Sequence, residues 1–238
     1  MSLASCISTT QCDPSIPAHP RLSALYQKLH TVDSQQTHTP LRVLHLGDSH
    51  IAADNFSGDL AKLFQTRFGN AGRGQFPAGE PFPYFRRQGF SISATEGWET
   101  TNSLSPKAQG LFGLSGIRTT SAASQDLIRL RADTPDGFGN IELDALQQPG
   151  GGSFTLTLDG TPLGPFWTRG DGKQLMRISL NGKTARTILL SPNGDGPVTL
   201  LGLGSENARA GIRYESHGIP GATLALMNKW DDAIMSAQ

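Results

Sequence analysis

The sequence predicts an α/β fold interrupted by an inserted all-β sandwich or jelly-roll domain. Three observations carry that prediction. The run Leu41-Arg42-Val43-Leu44-His45-Leu46 stops at Gly47-Asp48-Ser49-His50 and gives way to a helical apolar stripe, so a strand hands over to a helix through a serine turn. Short apolar or alternating runs, separated by Gly-, Asn- and Asp-bearing turns, fill the middle of the chain. From Ala210 the strand, turn and helix order returns.

The elements follow in order. Residues 1–19 read as a polar tail. Leu22, Leu25, Tyr26 and Leu29 recur at helical spacing over 20–29, and 34–40 is a polar linker. The strand over 41–47 ends at the serine turn. Phe56, Leu60, Leu63, Phe64 and Phe68 then mark a helix over 54–68, with Asp54 as its cap and Gly69 as its stop. The Gly- and Pro-rich stretch 69–83 reads as a long surface loop. Strands are expected at 90–94, 127–132, 140–146, 153–158, 175–180, 185–190 and 198–203, with hairpins at Asp159-Gly160 and Asn181-Gly182. A further strand at 211–216 leads into the turn Gly218-Ile219-Pro220-Gly221. One helix over 222–237 would carry Leu224, Met227 and Ile234 along one face, with Trp230 close by. The resulting division is a tail with a short helix (1–40), a first α/β part (41–87), an inserted β-sandwich (88–204) and a second α/β part (205–238).

Composition limits the function. The 238 residues are 37% hydrophobic and 17% charged, and 28 Gly with 15 Pro suit turn-rich β structure. Lys+Arg equals Asp+Glu, so the chain has no net electrostatic footprint for nucleic acid or an anionic membrane. No window of 18 apolar residues is present to span a bilayer. Cys6 and Cys12 are too few for a disulfide framework or a cysteine-based zinc site, and no cofactor or metal is expected. Leu3-Ala4-Ser5-Cys6 resembles the end of a bacterial lipoprotein signal, but no basic and apolar regions precede it.

The glycine-rich stretch 69–74 follows a helix and not a strand, which excludes a dinucleotide fingerprint. Gly182-Lys183-Thr184 lacks the upstream glycine of a P-loop, and Asn193-Gly194-Asp195-Gly196 lacks the further acids of a calcium loop. Trp98 and Trp167 suit either sugar stacking or core packing, and core packing is favoured.

Ser49 sits where open α/β sheets place nucleophiles, at the carboxyl edge of a strand. Gly47-Asp48-Ser49-His50 after a strand resembles the first block of SGNH (GDSL-type) hydrolases, and Gly218-Ile219-Pro220-Gly221 before a helix resembles their second. The text from Arg42 to Asp54, with the 69–74 loop, is similar to the bacterial envelope branch that includes peptidoglycan O-acetylesterases. The resemblance implies a flavodoxin-like three-layer domain and a serine esterase acting on acyl, mainly O-acetyl, esters of a cell-envelope polysaccharide. It also implies a periplasmic or envelope location. Ser49 would attack the ester carbonyl. The N–H groups of Ser49 and Gly221 would hold the oxyanion, and a Cβ at 221 would obstruct the substrate.

The family's later blocks, an Asn turn and Asp-x-x-His, do not follow Gly221. The α/β part is therefore expected to be incomplete and inactive by itself. Three histidines bear on the missing base. His50 adjoins Ser49, but neighbouring side chains diverge. His217 lies at the same sheet edge, either as a substitute base or as a hydrogen-bonded strand-end residue. His45 reads as a satisfied strand residue, and Asp48 as an acceptor for turn amides. Two alternatives stay open: a non-catalytic carbohydrate-binding fragment, and an O-acyltransferase on the same scaffold. In each case the partner is an acylated polysaccharide, with no nucleic acid and no transmembrane segment.

Overall fold

The computed structural model describes residues 22–237, apart from 107, 109, 208, 230 and 231. Cys6, Cys12, the lipoprotein-like stretch and Trp230 lie outside the described residues. Along the chain come α1 (Ser23–Asp33), β1 (Leu41–Gly47), α2 (Ser49–Ala52), α3 (Asn55–Phe68), β2 (Gly74–Phe76), β3 (Phe90–Ala94), β4 (Glu99–Asn102), β5 (Ile117–Ser121) and β6 (Ile128–Ala132). Then follow β7 (Asn140–Gln147), β8 (Ser153–Leu158), β9 (Thr161–Trp167), β10 (Gln174–Leu180), β11 (Thr187–Pro192), β12 (Val198–Glu206) and β13 (Ile212–Gly218). A 3-10 helix (Leu224–Lys229) and α4 (Asp232–Ala237) close the described chain. No helix among the described residues is long and apolar enough to cross a membrane.

The architecture is an α/β element joined to a β-sandwich. β1 and β13 form a two-stranded parallel sheet with register Leu41↔Ile212 through Gly47↔Gly218. α1 and α3 cover one face: Leu29 and Ala61 pack with Ile212 and Tyr214, backed by Val43, Leu60, Phe64 and Phe68. Leu60, Phe64 and Phe68 belong to the helical stripe expected of α3, but Phe56 and Leu63 from the same stripe are exposed. On α1 the expected stripe is also shifted. Leu22, Leu25 and Tyr26 face outward, and Leu29 with Val32 makes the buried contact.

The sandwich consists of two antiparallel sheets, in the orders β10-β7-β12-β5-β4 and β3-β6-β11-β8-β9, with β2 paired to β12. Its core forms because strand alternation turns Leu130, Leu156 and Leu190 of one sheet towards Leu143, Leu200 and Leu203 of the other. Burying each such side chain contributes about 1.5–3 kcal/mol.

Three expectations need correction. The 69–83 stretch is not a surface loop. It threads through the interior and contributes β2, and its glycines serve close approach: a Cβ at Gly74 would lie 2.1 Å from Glu215 Cγ. Asn181-Gly182 does not close a hairpin, because β10 pairs with β7 and β11 with β6 and β8; the turn carries the chain from one sheet to the other. Asp159-Gly160 does close the β8–β9 hairpin. Residues 222–237 do not form one helix. The chain splits into the 3-10 helix and α4, leaving Leu224 84% exposed and Met227 exposed, while Leu226 and Ile234 are buried. Ile234 packs on Leu146 and Leu201, on the outer side of the β12 sheet.

Candidate functional site

Both turns singled out in the sequence leave the same end of the parallel sheet. The last register pair is Gly47↔Gly218, and the Ile219 N–H donates to the Gly47 carbonyl at 3.2 Å. Ser49 therefore lies two residues beyond one strand and Gly221 three beyond its neighbour.

Local hydrogen bonding explains the serine turn. Asp48 caps the single turn of α2: its Oδ1 accepts from the His50 N–H at 3.0 Å, while its carbonyl accepts from Ile51 and Ala52. The His50 N–H and imidazole hold the Asp48 carboxyl below its usual range. Ser49 is the first residue of that turn, so its own N–H has no intrahelical acceptor, and its side chain is exposed.

Glycine is needed here for two different reasons. A Cβ at Gly47 would stand 2.3 Å from Ile51 Cγ1, and one at Gly218 would stand 2.3 Å from the Ala52 nitrogen and 2.6 Å from the Asp48 carbonyl. These two are matters of space. At Gly221 a Cβ meets no protein atom within 4 Å, and the positive φ of 79° is what favours glycine. Gly218→Ala pushes β13 against rigid backbone and is expected to destabilise by about 1–3 kcal/mol. Gly221→Ala bears only left-handed strain, about 1–2 kcal/mol, without moving the serine turn. Urea unfolding of both variants checks this, and an unperturbed Gly218→Ala would contradict it.

The histidines are dispersed. His50 Nδ1 lies 3.0 Å from Asp48 Oδ1 on the exposed surface. His45 Nδ1 meets the Tyr214 hydroxyl at 2.8 Å, and burial lowers its pKa. Among the described residues, no histidine is hydrogen-bonded to Ser49.

His217 is 5% exposed, and neither of its ring nitrogens has a hydrogen-bond partner among the described residues, so it is not the satisfied strand-end histidine that was one of its two readings. Burial, with the Arg87 and Arg42 charges, pushes its pKa down to about 3, which keeps the ring neutral at physiological pH. It lines a cavity of about 350 Å³ with Leu46, Asp48, Ser115, Ile219 and Leu226.

The sequence reading missed the group that supports the turn from behind. Asp54, expected to cap α3, does hold the N-cap position, with φ +56°, but makes no side-chain cap bond. Its carboxylate is instead buried and accepts from Arg73 Nη2 at 2.8 Å to each oxygen, from Ser57 Oγ, from Ser216 Oγ and from the Gln88 N–H. Arg87, whose side chain is 2% exposed, lies 3.9 Å from Asp54 and donates to the carbonyls of Ser216 on β13 and Ala52 on α2. Burial draws Arg87 down to about 10, still cationic at neutral pH. Two arginines on one carboxylate thus fasten α2, α3 and β13 together. Among the described residues no group of three or more side chains is placed to hold a metal ion.

Comparison with solved structures bears on this geometry. The chain is similar to a peptidoglycan O-acetylesterase. The superposition has a TM-score of 0.66 at 25% identity and covers 87% of this chain but 55% of that esterase. The chain thus spans about half of the esterase's length. Two carbohydrate-binding modules also align. One is a CBM35 from Paenibacillus barcinonensis (TM-score 0.34, 11% identity, 54% of this chain and 94% of that one). The other is a CBM36 domain of a multidomain xylanase from the hindgut metagenome of Trinervitermes trinervoides (TM-score 0.31, 16% identity, 48% of this chain and 94% of that one). No protein-family model and no curated protein matches the chain.

Proposed function

We propose that the chain carries the nucleophile half of an SGNH-type esterase site that removes acyl groups, chiefly O-acetyl, from a cell-envelope polysaccharide. The observation that supports this best is the pairing Gly47↔Gly218, which sends the Ser49 and Gly221 turns off adjacent strands at one sheet edge. Likeness to part of a peptidoglycan O-acetylesterase adds the substrate class and, with it, an envelope location.

In this reading Ser49 Oγ attacks the acyl carbonyl, and its proton passes to a base. The Ser49 and Gly221 N–H groups stabilise the oxyanion, each such donor contributing roughly 10²–10³ in rate. Collapse expels the sugar hydroxyl, and water then releases the acyl group from Ser49. Among the described residues no histidine is hydrogen-bonded to Ser49: His45 Nδ1 meets the Tyr214 hydroxyl, His50 Nδ1 meets Asp48, and His217 is buried and neutral. Acetate release from O-acetylated peptidoglycan, by the protein expressed at its natural length, tests the proposal. Ser49→Ala is expected to lower it by about 10³-fold or more. Undiminished release would overturn the assignment.

A further inference from the structure

The outward face of the five-stranded sheet carries a group that the esterase reading does not use. On β6 the burial alternates, with Ile128, Leu130 and Ala132 inside and Arg129 and Arg131 outside. Arg131 pairs across to Ser91 on one side and Thr187 on the other; Arg129 pairs to Ser93 and Leu189. Arg186, just before β11, joins them, and the three arginines with Thr187 line an open cavity of about 300 Å³.

None of the three arginine side chains has an ion-pair or hydrogen-bond partner among the described residues. The carboxylate of Asp159 lies beside the cavity, accepting from the Arg186 and Thr187 backbone N–H groups, but forms no ion pair with the three side chains. The three arginines are solvent-exposed, unlike Arg177 and Arg213, which are partly buried and paired to Asp144 and to Glu142, Glu206 and Glu215. Three neighbouring cations without an ion-pair partner repel one another, and an anion in the cavity relieves that repulsion. Planar guanidinium forks also match a carboxylate in two-pronged fashion.

The same face holds an aromatic platform. Phe154 and Phe166 pair facing inward, so the next pair, Ser153↔Trp167, turns the indole outward, and Trp167 is 53% exposed. The core role favoured for Trp167 is thereby corrected, while Trp98 is buried. Three strand spacings and two side-chain rows separate Trp167 from Arg129, roughly 20 Å. Hydroxyls of Thr155 and Thr157 lie on the intervening outward positions of β8.

We propose that this face binds a carboxylate-bearing glycan, with Arg129, Arg131 and Arg186 closing on a carboxylate and Trp167 stacking on a sugar ring further along. The proposal rests on the esterase reading only for the ligand being a polysaccharide. A zero net charge and a cation cluster confined to one cavity favour a glycan with spaced charges over a densely charged polyphosphate.

Calorimetric titration tests it with three probes: an oligogalacturonate, the same oligomer as its methyl ester, and polyphosphate. Binding of the oligogalacturonate is expected, weakening as salt rises. The exposed double variant Arg129→Ser/Arg131→Ser should weaken it tenfold or more, and Trp167→Ala severalfold. Circular dichroism confirms that the variants are folded. Equal binding of the methyl ester, tighter binding of polyphosphate or unchanged affinity in the arginine variant would each overturn the proposal. Because the readout is binding, an inactive Ser49 with intact oligogalacturonate binding would sink the esterase reading alone.

Discussion

Asp54→Ala is expected to cost about 3–5 kcal/mol of folding stability, the largest single effect in the α/β element. The size follows from what would be left behind. Asp54 is the anion shared by Arg73, at 2.8 Å, and Arg87, at 3.9 Å, and the Arg87 side chain is almost wholly out of water. Removing the carboxylate leaves Arg87 out of water with carbonyls but no counter-charge, and takes from Arg73 both of its hydrogen bonds to Asp54. It also takes the acceptor from Ser57, Ser216 and the Gln88 N–H. Asp54→Asn preserves the shape but not the charge, so most of the loss should persist. Urea unfolding of the two variants is the measurement, and a loss below about 1 kcal/mol in both would show that the network contributes little.

The second large effect is a pH dependence set by His217. Its folded pKa is about 3, below the ordinary value of 6.5, so between those values the unfolded chain binds the proton that the folded chain refuses. Stability from this residue is therefore complete above about pH 7 and is lost as pH falls towards 3, at about 1.4 kcal/mol per unit. Between pH 7.5 and pH 5 the wild type should lose about 2 kcal/mol through His217. His217→Leu does not titrate there and should lose that much less. Parallel urea curves at the two pH values give the comparison. A wild-type-to-variant difference that stays constant with pH would mean that His217 is not buried neutral.

The serine turn was legible because its signals are local. The apolar run ends at Gly47, Asp48 can reach the His50 N–H, and the α3 stripe follows within a few residues. The same holds for Asp159-Gly160, whose two flanking strands pair with each other. Signals that depend on distant partners were not legible. Thr-rich β5 and polar β4 are strands because of their place in the sheet, and β9 accepts Pro162 and Pro165 because it is an edge strand with no further neighbour on one side. The 69–83 glycines read as exposure, although their purpose is to let backbone pass against Glu215 and Ser205.

The site divides in the same way. Ser49 and Gly221 announce themselves through turn chemistry, and the parallel register then brings their strands together across the inserted sandwich. Asp54 looked like a cap because an aspartate before a helix usually is one. Its engagement by Arg73 and Arg87, 19 and 33 residues away, overrides the local preference. Nothing local distinguishes His217 from a surface histidine. Its burial follows from the Leu46↔His217 pairing and from the chain that folds over it at Ile219 and Leu226.

In the proposed site Ser49 is a nucleophile beside an oxyanion hole. The most direct test is covalent labelling of the protein at its natural length with a fluorophosphonate, which transfers phosphorus to an activated serine hydroxyl. Peptide mass mapping should place the adduct on Ser49, in parallel with loss of acetate release, and Ser49→Ala should take up none. Loss of activity with the adduct on another serine, or hydrolysis that survives full labelling of Ser49, would contradict the account.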